Sequence, residues 1–310
     1  MPIETFHTLI SRNKRNSWLL IVVFFVLFAC VGLLIGAVWG GGDWTFSIIV
    51  ASIAAVVSFI LIMLSYYGGA SAVLAISKAK PIQKADDPQL FNVVEELTIA
   101  AGVPMPKIYL IDDTAPNAFA TGRNPQHAVV AITTGLRTKL KRDELQGVMA
   151  HELSHVRNYD ILFAMLMAVM VGVLVMLCDV FLRSLWFGGG RSRRSSKEGG
   201  GLAQLILLIV AIVLAIIAPI LARVIQMAMS RQREYLADAS AVELTRNPEG
   251  LAGALARISD DPEVLEVANR ATASLYIVHP IKKFEDRAKS IFSTHPPIKD
   301  RIQRLMSLTQ

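Results

Sequence analysis

The chain has 310 residues, a net charge of +6 and a hydrophobic content of 53%, with only two cysteines. Its apolar residues are gathered into runs too long for a soluble domain, so the composition indicates a membrane protein. Cys30 and Cys178 each lie inside such a run, which excludes a disulfide framework and a cysteine-ligated metal and fits a reducing compartment. The basic residues cluster beside the apolar runs without aromatic interleaving, a pattern for anionic lipid and not for nucleic acid.

Residues 1 to about 16 read as a short polar tail. Four runs then reach the ~20 residues that span a bilayer: Trp18 to Trp39, Phe46 to Tyr67, Ile161 to Leu182, and Leu202 to about Ile225. The first two hold no charge and are joined by Gly40-Gly41-Gly42-Asp43, so they form a hairpin that stays as an anchor and is not a cleaved signal peptide. Arg12, Lys14 and Arg15 precede the hairpin and Lys78, Lys80 and Lys84 follow it, which puts both flanks in the cytoplasm.

The part after the hairpin opens with an amphipathic helix from Asp87 to Ala101, stopped by Gly102, then a strand at Lys107 to Ile111. A further strand from His127 to Thr133 completes a small sheet ahead of a helix that begins near Asp143-Glu144. That helix is expected to run through Val156 to Asp160 almost directly into the third apolar run, with the motif it carries close to the membrane surface. The third run meets Asp179, and the fourth carries Pro219 and Arg223. Between them, residues 188–201 are rich in Gly, Ser and Arg and read as a disordered linker whose charge is awkward if both runs cross. The two runs therefore either cross together or form a buried or interfacial hairpin, and either way the chain returns to the side it left. Helices are expected at Arg231 to Thr245, Pro248 to Ile258 and near Asp300 to Leu308. The chain thus divides into a tail and hairpin (1–67), a first part outside the apolar runs (68–160), a second hydrophobic hairpin (161–228) and a second part outside the runs (229–310).

The organising motif is His151-Glu152-Leu153-Ser154-His155. On a helix the four-residue spacing puts both imidazoles on one face, where they can bind one Zn²⁺ while Glu152 serves as general base to a water. A catalytic zinc needs a third protein ligand and one open position. Glu234, in Arg233-Glu234-Tyr235-Leu236-Ala237-Asp238, is the best candidate, with Asp238 one turn on as an acceptor for a ligand imidazole; spacing alone leaves Asp160 and Glu243 open as ligands. His295, in the Pro-flanked Thr294-His295-Pro296-Pro297, is a candidate donor to the tetrahedral oxyanion. His7, His127 and His279 lack metal-like spacing and are assigned to packing or surface.

HELSH with REYLAD, preceded by NAFATG and followed by THPP, resembles the membrane-bound zinc metalloproteases of the HtpX type, relatives of the CAAX-prenyl endoproteases, over residues 3 to 308. The resemblance implies a mainly α membrane protein, with transmembrane helices and a cytosolic α+β zincin-like (gluzincin) domain holding a small sheet. It implies one zinc per chain on His151, His155 and Glu234, Glu152 as base, Asp238 and Arg301 in support, and His295 at the transition state. Asn117, Ala118, Phe119 and Ala120 would form an edge strand on which an extended substrate lies. The implied role is cleavage of damaged or misassembled membrane proteins at the bacterial cytoplasmic (inner) membrane, with the site facing the cytoplasm. Two rivals are a prenyl-protein or peptide-maturation protease of the same chemistry, and a non-catalytic scaffold with structural zinc. An open metal position beside a base argues against the scaffold.

Overall fold

The structure is a computed structural model, and it describes residues 6–167, 231–265, 275–278 and 296–308, with isolated positions 183, 205, 208, 209, 212 and 216. The third apolar run beyond 167, the 188–201 linker, most of the fourth run, His279 and His295 lie outside the described residues. The chain divides into two compact units, one of Met1–Ser17, Tyr66–Ala168 and Gln226–Gln310, the other of Trp18–Ser65 and Val169–Ile225.

Helix α1 (Phe6–Trp39) and helix α2 (Trp44–Ile76) make the expected hairpin. Asn13–Trp39 and Trp44–Ile76, 27 and 33 residues, are each long and apolar enough to cross a membrane. The turn between them uses Gly41 and Gly42 at φ of +63° and +92°, which an L side chain rarely adopts. Within the second unit the two helices touch through glycine. A Cβ on Gly32 would lie 2.5 Å from the Ala54 Cβ, and one on Gly36 would lie 2.6 Å from the Ser47 Cα, so small residues four apart let the backbones close up. The expected polar tail is instead helical from Phe6 onward. Arg12, Lys14 and Arg15 are good helix formers, and the buried Asn13 ties that helical start to distant residues, so charge ahead of the apolar run does not end the helix.

In the first unit, β1 (Lys80–Pro81) leads to α3 (Pro88–Ala101), where Asp87 caps the start by accepting from Leu90 N–H and Gly102 closes the end at φ +65°. Strands β2 (Lys107–Ile111), β3 (Ala118–Thr121) and β4 (Val129–Thr133) follow, with a 3-10 turn at Pro125–His127. The last strand thus begins two residues later than the sequence suggests, because Asn124 caps the turn by accepting from His127 N–H. The sheet has order β1-β2-β4-β3, antiparallel except for the parallel β2–β4 pair, so β3 is an edge strand. Short α4 (Thr134–Lys139), capped by Thr133, was not legible as a helix in the sequence. Helix α5 (Arg142–Arg157) carries the HELSH motif.

Helix α5 does not run on into the third apolar run. It ends at Arg157, Asn158 and Tyr159 form a turn with Tyr159 at φ +61°, and a separate helix α6 begins at Asp160 and is described through 167. Helix α7 covers 231–245, α8 is Pro248–Asp260 and α9 is Ile298–Met306. The strand alternation sorts side chains to two cores. Val130 and Ile132 join Leu90, Val94 and Leu97 of α3, Leu145, Met149 and Leu153 of α5, and Leu251 and Leu255 of α8. Val129, Ala131 and Phe119 face Val73, Leu74 and Tyr276 on the other side. Gly147 lets the α8 backbone approach α5, since a Cβ there would lie 2.7 Å from Leu251 N. Helix α5 is therefore clamped between sheet, α3 and α8, and its histidine face is fixed.

Candidate metal centre

His151 and His155 lie one turn apart on α5, their rings edge to face with centroids 4.8 Å apart and their Nε2 atoms 3.2 Å apart. From α7, Glu234 brings Oε2 to 3.5 Å from His151 Nε2 and Oε1 to 3.7 Å from His155 Nε2. One donor atom from each of the three lies within 4.8 Å of the others. His151, Glu152 and Glu234 are buried, and His155 is partly so.

The outer nitrogens decide whether this set suits a metal ion. His151 Nδ1 lies 3.0 Å from Asp238 Oδ1, and His155 Nδ1 lies 3.2 Å from Asp160 Oδ2. A carboxylate on Nδ1 fixes the tautomer that carries its proton there, which turns the Nε2 lone pair inward; two such lone pairs and a carboxylate converging in a buried site fit a divalent cation. Charge points the same way. Among the described residues around the cluster, the carboxylates Glu152, Asp160, Glu234 and Asp238 face the guanidiniums Arg233 and Arg301, two more negative than positive side chains, a balance that suits a divalent ion.

Arg301 organises the side away from His155. It is 1% exposed, and donates through Nε and Nη2 to Asp238 at 2.9 and 2.7 Å and through Nη1 to the Ile277 carbonyl at 3.0 Å; Nη1 also lies 3.1 Å from Glu234 Oε2. Burial raises the Asp238 carboxyl, but Arg301 and His151 outweigh it and hold the group below the usual carboxylate range. Burial works against charge on His151 too, yet hydrogen bonds to Asp238 and Glu234 prevail, and its pKa is pushed up to about 9. Glu152 is raised above the usual carboxylate range, chiefly by burial, against the pull of His151 and His155 and a hydrogen bond from the Ala120 backbone N–H. A buried carboxylate of raised basicity beside a metal-ligand cluster is what proton abstraction needs.

Of the other candidate residues, Asp160 supports His155 and does not join the three-donor cluster, while Glu243 is exposed and 4.0 Å from Arg157 Nη1. Asn117, Ala118, Phe119 and Ala120 are all buried on the edge strand β3 and its approach. The outward side of β3 is partly taken: Ile277 N–H donates to the Ala118 carbonyl at 3.0 Å, and Asn117 Nδ2 donates to the Val278 carbonyl at 2.9 Å. Ala120, by contrast, lines a pocket with Glu152, His155, Phe163, Arg233 and Leu275. His127 is exposed and pairs with Arg123 and Asn124. Sequence reasoning missed the role of Asn13, whose amide reaches Asp160, although an uncharged polar residue among Arg12, Lys14 and Arg15 was there to be noticed.

Comparison with known proteins agrees with this geometry. The proteins named protease HtpX homolog in Lactobacillus acidophilus, Dictyoglomus thermophilum and Thermoanaerobacter pseudethanolicus are 43%, 46% and 42% identical to it. The alignments cover 96%, 97% and 100% of this chain and 97%, 94% and 100% of theirs, respectively. Among solved structures, S. mikatae Ste24p shares the fold with a TM-score of 0.50 at 19% identity, over 94% of this chain and 66% of that one. The profile of peptidase family M48 matches residues 84–309, which takes in α5, Glu234 and Arg301 together, and with full-length relatives above 40% identity the chain is a membrane-protein member of peptidase family M48.

Proposed function

We propose that this peptidase is a zinc endopeptidase of the bacterial cytoplasmic membrane, with its site on the cytoplasmic side, that cleaves misfolded or damaged membrane proteins and unfolded polypeptides. The observation that carries the reading is the convergence of His151, His155 and Glu234 beside Glu152, in a chain that also holds a membrane-length hairpin. Two imidazoles and a carboxylate are the ligand types of catalytic zinc. Bound there, zinc supplies Lewis-acid polarisation of the scissile carbonyl and makes water acidic enough to be deprotonated near neutral pH.

The rest is done by the chain. Glu152 takes the proton of the attacking water and passes it to the leaving amine, and the Ala120 N–H holds its carboxylate for that transfer. Asp238 and Asp160 keep His151 and His155 turned inward, and Arg301 keeps Asp238 and Glu234 in place. His295 is assigned to the developing oxyanion. The substrate backbone meets β3 at Ala120, the part of the edge nearest Glu152, because the Ala118 carbonyl is already bonded to Ile277. Such backbone recognition accepts varied sequences, as a quality-control peptidase requires. The net charge of +6 and the Lys and Arg residues flanking the hairpin support inward-facing ends on anionic lipid.

The test compares cleavage of a loosely folded membrane protein by the detergent-purified chain and by Glu152→Gln, with metal counted in both. The variant is expected to keep about one zinc and to lose cleavage by on the order of 10²- to 10⁴-fold. Equal cleavage by both, or no metal in either, would leave a non-catalytic membrane scaffold as the reading. A narrow sequence preference in the mapped products would favour peptide maturation over quality control.

A further inference from the structure

Asn13 sits in the first turns of α1, 138 positions before His151 and ahead of the first apolar run, yet it is only 5% exposed. Its side-chain amide donates twice, to Asp160 Oδ1 at 2.8 Å and to the Asn158 carbonyl at 2.8 Å. The other oxygen of that carboxylate, Oδ2, is the one that meets His155 Nδ1 at 3.2 Å. The neighbouring Lys14 places Nζ 4.2 Å over the ring of Tyr159, the residue held at φ +61°. A bulky residue in that conformation persists only where its surroundings impose it. The start of α1 therefore grips both residues of the turn that leaves the HELSH helix and the first residue of α6.

The charge on Asp160 is also met by Arg233, whose Nε lies 3.5 Å from the same Oδ1 and whose guanidinium stacks 3.8 Å over Phe163. What Asn13 adds is direction. A neutral amide anchored on both a backbone carbonyl and Oδ1 restrains the carboxylate, and among the described residues the second oxygen then meets His155 Nδ1. We propose that Asn13 is a positioning residue of the metal site, which acts through Asp160 to hold His155 Nδ1 as a donor and so present Nε2 to the metal. The inference rests on His155 being a metal ligand. It makes the start of the first membrane helix part of the peptidase site and not merely a lead into the bilayer.

Loss of a group that directly supports a metal-binding imidazole typically costs 10- to 100-fold in metal affinity, and Asn13 acts one bond further out, so an effect of about tenfold is expected. The experiment follows Zn²⁺ release to a chromogenic chelator from the full-length chain in detergent, for Asn13→Leu, Asn13→Gln, Asp160→Asn and the double variant Asn13→Leu with Asp160→Asn. Ser17→Ala is the control, because Ser17 Oγ donates to the Asn13 carbonyl at 2.9 Å and touches the same helical turn without touching Asp160. Asn13→Leu should release zinc about tenfold faster, Asn13→Gln should recover part of the loss, and Ser17→Ala should behave as wild type. In the Asp160→Asn background the Asn13 effect should vanish, since the two act in series. Wild-type release from Asn13→Leu, or a full additional effect on top of Asp160→Asn, would overturn the inference. Should Asn13→Leu fold poorly, Asn13→Gln against Ser17→Ala decides: matched melting temperatures of the metal-free chains with unequal release support positioning, and release that follows melting temperature sinks it. His155→Ala measured alongside tells the two readings apart, because retention of zinc by that variant removes the ligand assignment itself.

Discussion

The membrane hairpin and the peptidase unit place opposite chemistry on their surfaces. Along the hairpin, Leu19, Val22 and Val26 of α1 and Ile53, Val56 and Leu64 of α2 are exposed, and the helices meet where side chains are missing, at Gly32 and Gly36. In the peptidase unit, His151, Glu152, Glu234, Asp238 and Arg301 are inside, and the unit is arranged around satisfying them. The difference follows from solvent. Lipid gives apolar surface no reason to hide, so association of α1 and α2 depends on close backbone approach. Water makes burial of charge costly, so it is kept only where each charge meets a partner and the whole serves a function. The hairpin should thus tolerate changes of apolar shape except at its contact line, and the peptidase unit should tolerate almost none at its charges.

The largest break in this contrast should come from Arg301→Met, which keeps the bulk but leaves Asp238 and Glu234 without their guanidinium. Removing one member of a buried charge network costs about 3–5 kcal/mol, and that loss is expected in denaturant unfolding of the metal-free chain. Arg301→Lys should not restore it, because an ammonium cannot span Asp238, Glu234 and the Ile277 carbonyl as the planar fork does. A cost below about 1 kcal/mol would mean that the buried charges are held by something other than this network.

A smaller effect is expected on the hairpin side. In Gly32→Leu, the new Cβ would start 2.5 Å from the Ala54 Cβ and 3.1 Å from the Ala51 Cα, a backbone the flexible end of a side chain cannot avoid. Overpacking of this kind costs about 1–3 kcal/mol, whereas Val26→Leu on the exposed face of the same helix should stay within about 0.5 kcal/mol. Unfolding in a graded detergent series compares the two. Equal effects at both positions would show that the hairpin has no preferred contact line.

The same contrast explains what was legible in the sequence. The hairpin was, because twenty apolar residues announce themselves by composition. Helix α3 was, because Asp87 and Gly102 mark its ends with local chemistry, and the spacing within HELSH and from Glu234 to Asp238 places each pair on one helix face before any tertiary contact is known. The Gly32-Leu33-Leu34-Ile35-Gly36 spacing was present too, but passes for ordinary apolar sequence until Ala54 and Ser47 are seen opposite. What failed was whatever distant contacts impose. Nothing local requires a turn at Asn158-Tyr159; Asn13 and Lys14 hold it from the far end of the sequence. Two-residue β1 exists only because β2 offers an edge, and the choice of Asp160 as support for His155 and not as part of the donor cluster depends on which nitrogen it faces.

The buried charge shortfall also makes metal binding a proton exchange, which gives the smallest and most discriminating test, about tenfold in affinity per pH unit. Without metal, His151 has its pKa raised to about 9 by Asp238 and Glu234 despite burial, so near neutral pH it carries a proton that a cation must displace. Apparent zinc affinity should therefore climb with pH up to about 9 and then level as far as this group is concerned. Stability runs the other way in the metal-free chain. A histidine whose folded pKa lies above its unfolded value of about 6.5 stabilises the fold fully below that value, and the contribution fades as pH rises toward about 9. With zinc in place the cation substitutes for the proton, and that fading should disappear. Melting temperatures of the metal-free and zinc-loaded chains should then diverge from pH 6.5 to 9, with titration calorimetry in two buffers of different ionisation heat giving close to one proton released per zinc at neutral pH. Parallel melting curves with no proton release would mean that His151 is neutral before the metal arrives, and that the four carboxylates are balanced by some other charge.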